Sequence, residues 1–452
     1  MNFDRMRALV LEKAALGRLV QQIDSEPEVL QLGEELKLAT VELPSKWKWV
    51  RLSYLTTEMG DGPFGSNLKK EHYTSQPEVR IIQLSNIGER GWRNENVKYT
   101  TFTHAETIRR SKVDPGDIVI AKMMPAGRAI IVPEIEQAFI LSSDAVKVVV
   151  NKELCLTQYL NIAINSSVFK NQVYANVQGT TRIRTSVSKL KNFFVPLPSL
   201  EEQARIVEKV NEVFAEIDRA EKAYQELQML ADVLRGQILQ EAIQGKLVPQ
   251  LDSEEEVQQI GDAPKEVPFV IPEKWKWKTL KSITGTITDG THHSPKNSQV
   301  KDEIFKNLYV TAKNIKYTGV DLSKPTYVDD EVHAEIVKRC DPAFGDVLFV
   351  KDGATTGVVT VNDLHDSFSM LSSVALIKTL PEVLDSQYLV YVLRSPIIEK
   401  VIRSKMKGTG IPRVTLKILQ SIPIPVPPFD EQLRIVGKVH DLLKQVDALS
   451  GK

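Results

Sequence analysis

Residues 196–210, PLPSLEEQARIVEKV, and residues 425–439, PVPPFDEQLRIVGKV, decide how this chain is built. Aligned without a gap they share Pro196, Pro198, Glu202, Gln203, Arg205, Ile206, Val207, Lys209 and Val210, nine identities in fifteen positions at an offset of 229. Working outward, Trp47-Lys48-Trp49 returns as Trp275-Lys276-Trp277, Asp61-Gly62 as Asp289-Gly290, Asn86-Ile87 as Asn314-Ile315, and Ser142-Ser143 as Ser372-Ser373. The first copy then runs on to AIQGKLVPQ at 242–250, whereas the second ends at Lys452 before reaching it. The matching piece is at the other end, where Ala15 to Val20 (ALGRLV) lies 228 residues before Ile243 to Val248 (IQGKLV). Self-similarity at a fixed offset is read before any local pattern. Here it predicts a ring of two units, opened inside one of its helices, with pseudo-two-fold symmetry.

Each matched block opens with a proline-rich stop, Val195 to Pro198 and Ile422 to Pro428, where successive X-Pro pairs hold the backbone extended until the last proline. Each stop therefore ends a strand and starts a helix. Between Leu200 and Ile243, apolar residues recur at Ile206, Val210, Val213, Ile217, Ala220, Tyr224, Leu227, Ala231, Leu234 and Ile238. Spacings that alternate four and three predict a packed helical seam. The C-terminal copy keeps the register with Ile435, Val439, Leu442, Val446 and Leu449, and the N-terminal piece supplies Met6 and Val10 at the places of Leu234 and Ile238. Some 40 helical residues make a rod of about 60 Å, the length of about 18 base pairs. Two rods, one continuous and one assembled from both chain ends, are expected to pack antiparallel. A dimerising coiled coil with no measuring role is the plainer alternative.

Composition bounds what the rest can be. At 452 residues, 42% hydrophobic and 26% charged, the chain has ordinary globular composition and length for several domains. The N-terminus is charged, no signal-peptide core follows, and no apolar run approaches the 18 or so residues of a membrane span, so a cytoplasmic location and no membrane partner are expected. Cys155 and Cys340 fall at non-equivalent positions with no CxxC and read as buried thiols. Net charge is zero, but it is segregated: Pro44 to Pro198 carries 21 Lys+Arg against 13 Asp+Glu, and Ile271 to Pro427 carries 21 against 17. With 58 of each in the whole chain, the remaining segments hold 16 against 28. Two basic pieces point to an anionic partner, and acidic connectors to a different one.

The basic pieces read as mixed α/β. Val119-Ile120 and Val347 to Val350 follow tight turns as buried strands, and Asp144 to Val150 and Val374 to Ile377 behave likewise. Polar glycine loops separate them: DGPFGSN at 61–67, DGTHHSPKNS at 289–298, QGTTRIRT at 178–185 and KMKGTGIPR at 405–413. Arg can donate twice to guanine, and Ser, Thr, Asn and Lys suit phosphates or base edges. The candidate DNA-binding residues are Ser66, Asn67, Lys69, Lys122, Thr180, Arg182, Arg184, His292, His293, Lys296, Lys351, Thr409 and Arg413. Adjacent His292 and His293 lack a third ligand, so no metal is expected there. Val426-Pro427-Pro428-Phe429 looks like the loop with which amino-methyltransferases hold their target amine, but Val in first place cannot accept the amine's hydrogen bond. It reads as the start of a helix, and no catalytic residue is assigned.

Taken together, the Trp-Lys-Trp strand, the proline stop, the EEQARIV and DEQLRIV helix starts and the AIQGKLVPQ helix end resemble the specificity (S) subunit of type I restriction-modification systems, over the whole chain. The resemblance implies two target recognition domains, each reading one half of a split DNA sequence, held apart by two long helices that act as a spacer. It implies partners as well: double-stranded DNA, two methyltransferase (M) subunits that carry S-adenosylmethionine and methylate adenine, and a motor-nuclease (R) subunit. The S chain itself has no cofactor and no active site. On this reading residues 1–30 are part of the distal helical region, 44–198 the first recognition domain, 199–250 the central helical region, 251–270 a flexible acidic linker, 271–427 the second recognition domain and 428–452 the C-terminal helix. The docking seam comprises Ile206, Val210, Ile217, Tyr224, Leu227, Leu234, Ile238, Ile435, Val439 and Leu442. Because the loops of the two copies differ, the target is expected to be asymmetric. A self-contained methyltransferase or nuclease with such recognition domains, or a coiled-coil scaffold for proteins, are the alternatives.

Overall fold

A computed structural model describes residues 1–33, 41–175, 184–259, 261, 263–406 and 413–451. The chain is mixed α/β and divides into two compact units, Met1–Ala223 and Tyr224–Lys452. A single helix, Leu200–Ile243, supplies residues to both.

In the first unit, strand Lys48–Arg51 pairs antiparallel with Phe194–Leu197, joining the Trp-Lys-Trp motif to the proline stop. A four-stranded antiparallel sheet has the order Ala129–Ile131, Ile118–Ala121, Ala145–Val150, Thr56–Asp61. A second, five-stranded sheet is mixed, with Ala138–Leu141 parallel to Val79–Ile82. Helices Thr157–Asn165 and Ser167–Ala175 cover the first sheet, and their Tyr159, Leu160 and Phe169 close a core that also takes in Ile206 and Val210 of the long helix.

The second unit repeats this plan. Lys276–Thr279 pairs with Pro423–Val426, and the four-stranded sheet has the order Thr284–Asp289, Val374–Thr379, Val347–Val350, Val359–Val361. Helices Ser386–Arg394 and Pro396–Ser404 cover it, and Ile435, Val439 and Val446 of the C-terminal helix Phe429–Ser450 join its core.

The residues shared by the two matched blocks do the same structural work in each unit. Buried Trp47 donates its indole N–H to Glu202 Oε2 at 2.8 Å, and Trp275 donates to Glu431 Oε2 at 3.0 Å. Gln203 accepts from Leu156 N at 2.7 Å and donates to the carbonyls of Leu154 and Pro198. Gln432 accepts from Asp385 N at 2.9 Å and donates to those of Val383 and Pro427. Arg205 pairs with Glu26, and Arg434 with Glu254. The Tyr159 and Tyr388 hydroxyls donate to the Pro196 and Pro425 carbonyls. Buried polar groups need partners, and the two glutamines satisfy the backbone where a strand turns into a long helix.

In the first unit the N-terminal helix, Phe3–Ala15, runs antiparallel to the start of the long helix: Arg7 meets Asp218 and Glu221, and Gln22 meets Glu202. In the second, Asp447 and Ser450 of the C-terminal helix meet Arg235 and Gln228, again antiparallel. Both helix pairs are therefore pinned by the same arginine, Arg7 and its counterpart Arg235. The N-terminal helix stops at Ala15, short of residue 30, because Gly17 takes φ +65°. Gly245 does the same at +70° after the long helix.

The seam departs from the expected set. Ile206, Val210, Ile217, Ile238, Ile435 and Val439 are buried, Leu442 packs against the core and Tyr224 is half-buried. Leu227 and Leu234, however, are 40% and 42% exposed. Glu221, Gln228 and Arg235 hold the inward positions instead, each one residue along from an expected apolar site and each hydrogen-bonded to the facing helix. A polar side chain with a specific partner can occupy a seam as well as an apolar one.

The 251–270 segment has neither helix nor strand among its described residues, yet its first part is tied down: Lys274 Nζ donates to the carbonyls of Leu251, Asp252 and Glu254. Lys46 does the same for those of Ile23, Asp24 and Glu26. Cys155 and Cys340 are free and buried, and burial pushes the Cys340 thiol up to about 12. Among the described residues no helix is long and apolar enough to cross a membrane.

Candidate nucleic-acid interface

In each unit one end of the four-stranded sheet gathers three pieces of chain around a lysine. Strand Ile118–Ala121 runs into Lys122, whose N–H bonds to the Asp144 carbonyl while its own carbonyl accepts from Thr185 N at 2.9 Å. Lys351 follows Val347–Val350 in the same way, bonded to the Ser373 carbonyl and accepting from Val414 N at 2.9 Å. The polar arm that returns to the sheet is thereby fixed at Arg184, which bridges to Met123, and at Arg413, which bridges to Asp352.

The third piece is the Asp-Gly that ends the outer strand. A Cβ on Gly62 would lie 1.7 Å from the Ser142 carbonyl oxygen, and one on Gly290 would lie 1.8 Å from that of Met370. Only glycine allows this approach. It aims the loops DGPFGSN and DGTHHSP away from the sheet end, next to the returning arms. In the first unit these pieces line an open cavity of about 440 Å³ bounded by Asp61, Phe64, Lys122, Ser143, Arg184 and Ser186, among others.

Lys122 and Lys351 turn out to be framework. Lys122 Nζ lies 2.6 Å from Asp61 Oδ1, with its side chain 8% exposed. Lys351 Nζ lies 2.7 Å from Asp352 and 3.4 Å from Asp289, with its side chain 3% exposed. An ammonium buried against a carboxylate holds the sheet end together and is not offered to a phosphate.

The other described candidates are exposed. Ser66, Asn67 and Lys69 lie on the loop surface, and the Asn67 carbonyl is 2.9 Å from His104 Nε2. The Lys69 N–H donates to His72 Nδ1, and the two imidazoles stack at 4.0 Å, so a histidine pair that nothing in the sequence pattern marked anchors the loop. His292 Nε2 lies 3.2 Å from Arg339 and 3.4 Å from Asp289. His293 is held by its backbone N–H on Thr291 Oγ1, and Lys296 stands over the Phe305 ring. Arg184 and Arg413 are both exposed, and Arg413 Nε is 2.9 Å from Asp352 Oδ1. Thr180, Arg182 and Thr409 lie outside the described residues. Two groups were not foreseen: Phe64, almost fully exposed at the tip of the first loop, and Arg339, which donates to buried Asp289 at 2.7 Å. Phe64 carried a signal in its setting, an aromatic between two glycines in a polar loop.

The long helices present a second exposed surface. Leu227, Met229, Leu230, Val233 and Leu234 are all exposed on the long helix, as is Leu449 on the C-terminal helix.

The family model for the type I restriction modification DNA specificity domain matches residues 63–229 and 272–452. The specificity subunit of the Escherichia coli type I restriction enzyme EcoEI is 22% identical over 571 positions, covering 99% of this chain and 90% of that subunit. That of EcoKI, from Escherichia coli strain K12, is 22% identical and covers 90% and 84%. The EcoBI subunit from Escherichia coli is 26% identical over a shorter match, 55% of this chain and 52% of that one. Among solved structures, a chain from a study of type I R-M complex assembly and conformational transition superposes with a TM-score of 0.67 at 22% identity, covering 90% and 93%. The HsdS subunit of Thermoanaerobacter tengcongensis superposes with 0.51 at 20% identity, covering 91% and 92%.

Proposed function

The chain belongs to the DNA specificity subunits of type I restriction-modification systems, and from that premise we propose that it reads an asymmetric, bipartite DNA target through the loops at its two sheet ends. The observation that carries this reading is a shared frame with different contents. Asp-Gly, the buried lysine and the returning arginine recur in both units, while the residues that follow the Asp-Gly differ: Pro63, Phe64 and Gly65 in one, Thr291, His292 and His293 in the other. One frame with two sets of contacts suits two unlike half-sites. Arg184 and Arg413 read base edges, and Ser66, Asn67, Lys69, His293 and Lys296 hold bases or phosphates nearby.

The partition into recognition domains at 44–198 and 271–427 accompanies this reading, with the long helix setting the unread gap between half-sites. Two M subunits, which supply S-adenosylmethionine and the methyl transfer, dock on the helices. The exposed leucines at 227, 230 and 234 support that role, and the acidic character of the connecting segments disfavours laying them along phosphates. An R subunit joins through the same assembly, in the cytoplasm. With zero net charge, the S chain depends on M for further phosphate contacts.

The test is to co-express the chain with its cognate M subunit in a methylation-free host and map modified adenines across the genome. A split, asymmetric motif of fixed spacing is expected. Modification that persists unchanged without this chain would remove the specificity role and favour the scaffold reading.

A further inference from the structure

The two sheet ends differ at one position. Arg184 and Arg413 hold equivalent places, each bridged to the residue after the buried lysine. In the first unit that residue is Met123, and in the second it is Asp352. Asp352 lies between two cations, with Oδ1 2.9 Å from Arg413 Nε and Oδ2 2.7 Å from Lys351 Nζ. Lys351 in turn faces Asp289 at 3.4 Å, Asp289 accepts from Arg339 at 2.7 Å, and Arg339 reaches His292 at 3.2 Å. Alternating charges thus run without a break from the loop that begins at Asp289 to the arm that ends at Arg413. In the first unit the Asp61 to Lys122 pair is present at 2.6 Å, but a thioether follows it and the series stops.

We infer that Asp352 is a positioning residue: it fixes the Arg413 guanidinium for guanine in the second half-site, a constraint that Met123 does not place on Arg184. This rests on the DNA-reading role proposed above. A carboxylate that pairs through Nε sits beside the guanidinium and not across its two terminal nitrogens, the fork that donates to O6 and N7 of guanine together. Arg413 is 57% exposed and Asp352 25%, so the arginine is the outer member of the pair. A carboxylate beside it also repels phosphate, which turns the arginine from backbone contact toward base edges. Holding a long side chain in place before DNA arrives removes part of the rotamer entropy that binding would otherwise cost. The second domain therefore discriminates at its arginine position more sharply than the first.

The experiment maps the methylation motif of the full complex carrying D352M, which installs the first unit's residue, with D352E and R413K alongside. D352M is expected to lower the preference for guanine at one position of the second half-site by about tenfold or more, with the first half-site and the spacing unchanged. R413K, which keeps the charge but loses the fork, should relax the same position, and D352E should restore most of the preference. A D352M motif identical to wild type overturns the inference, as does a loss spread evenly over the second half-site. If D352M does not fold, D352N, which retains an oxygen for Lys351, is read by the same two criteria. Failure of the underlying reading looks different: the wild-type complex itself would then give no split motif.

Discussion

Replacing Gln203 with Leu tests whether the matched blocks are held by hydrogen bonds and not by packing alone. Gln203 is buried, accepts from Leu156 N at 2.7 Å, and donates to the Leu154 and Pro198 carbonyls at 3.1 and 2.9 Å. Leucine fits the volume but satisfies none of these groups, which belong to two different stretches of backbone meeting at the helix start. Each backbone group left without a partner costs about 1 kcal/mol or more where it is only partly buried, so the three together cost about 3 kcal/mol. For a unit of some 220 residues that lowers the melting temperature by roughly 6 to 12 °C. Calorimetry of the full chain measures this, with Q432L as the companion, because Gln432 makes the equivalent three bonds to Asp385, Val383 and Pro427. The two variants should destabilise different units to a similar degree. A fall of less than about 1 °C in both would refute the account and leave the Glu-Gln-x-Arg match to be explained by function.

Gly62→Ala drives a methyl group into the Ser142 carbonyl at 1.7 Å, so the 62–67 loop must move. The first half-site should be lost from the methylation motif while M binding persists. Charging the exposed stripe with Leu230→Asp and Leu234→Asp leaves stability within about 0.5 kcal/mol, as expected for surface positions. It should weaken M binding, measured by co-purification. Burial pushes the Glu431 carboxyl above its ordinary value, against the lowering effect of the Trp275 and Gln250 hydrogen bonds. An acid with a raised folded pKa favours folding most while protonated, so its contribution is full below the ordinary glutamate pKa and is lost as pH rises through the folded one. The stability of wild type relative to Glu431→Gln should therefore fall as pH rises above the ordinary glutamate pKa, which thermal melts in the acidic range and at neutral pH record.

Much of the architecture was open to inspection in one dimension because it is repeated. The offset of 229 between the matched blocks, the wrap of ALGRLV onto IQGKLV, and the proline stops located both strand-to-helix junctions and both helix ends, since X-Pro and positive-φ glycine act through local backbone sterics. The strands at 118–121, 145–150, 347–350 and 374–379 also showed as apolar runs. The candidate interface was legible only by region. Chemistry proposed DNA contacts for Lys122 and Lys351 from their charge, and their burial against Asp61 and Asp289 follows from residues 60 or so positions away in the chain.

The helical seam shows where the division falls. An apolar repeat of three and four was enough to establish a long helix with a packed face, since that periodicity is a property of the helix itself. Which residues turn inward was settled by the facing helices. Arg7 beside Asp218 and Glu221, and Arg235 beside Asp447, bring polar side chains into the seam and leave Leu227 and Leu234 outside, while Ile217, Ala231 and Ile238 stay buried at their expected places. The repeat, its circular order and its helix ends are written in local sequence because local backbone energetics produce them. The seam's polar contacts, the buried lysines and the ion pair on Arg413 depend on partners brought close only by folding, because the energy of a charged or polar side chain is set by what lies within a few ångströms of it.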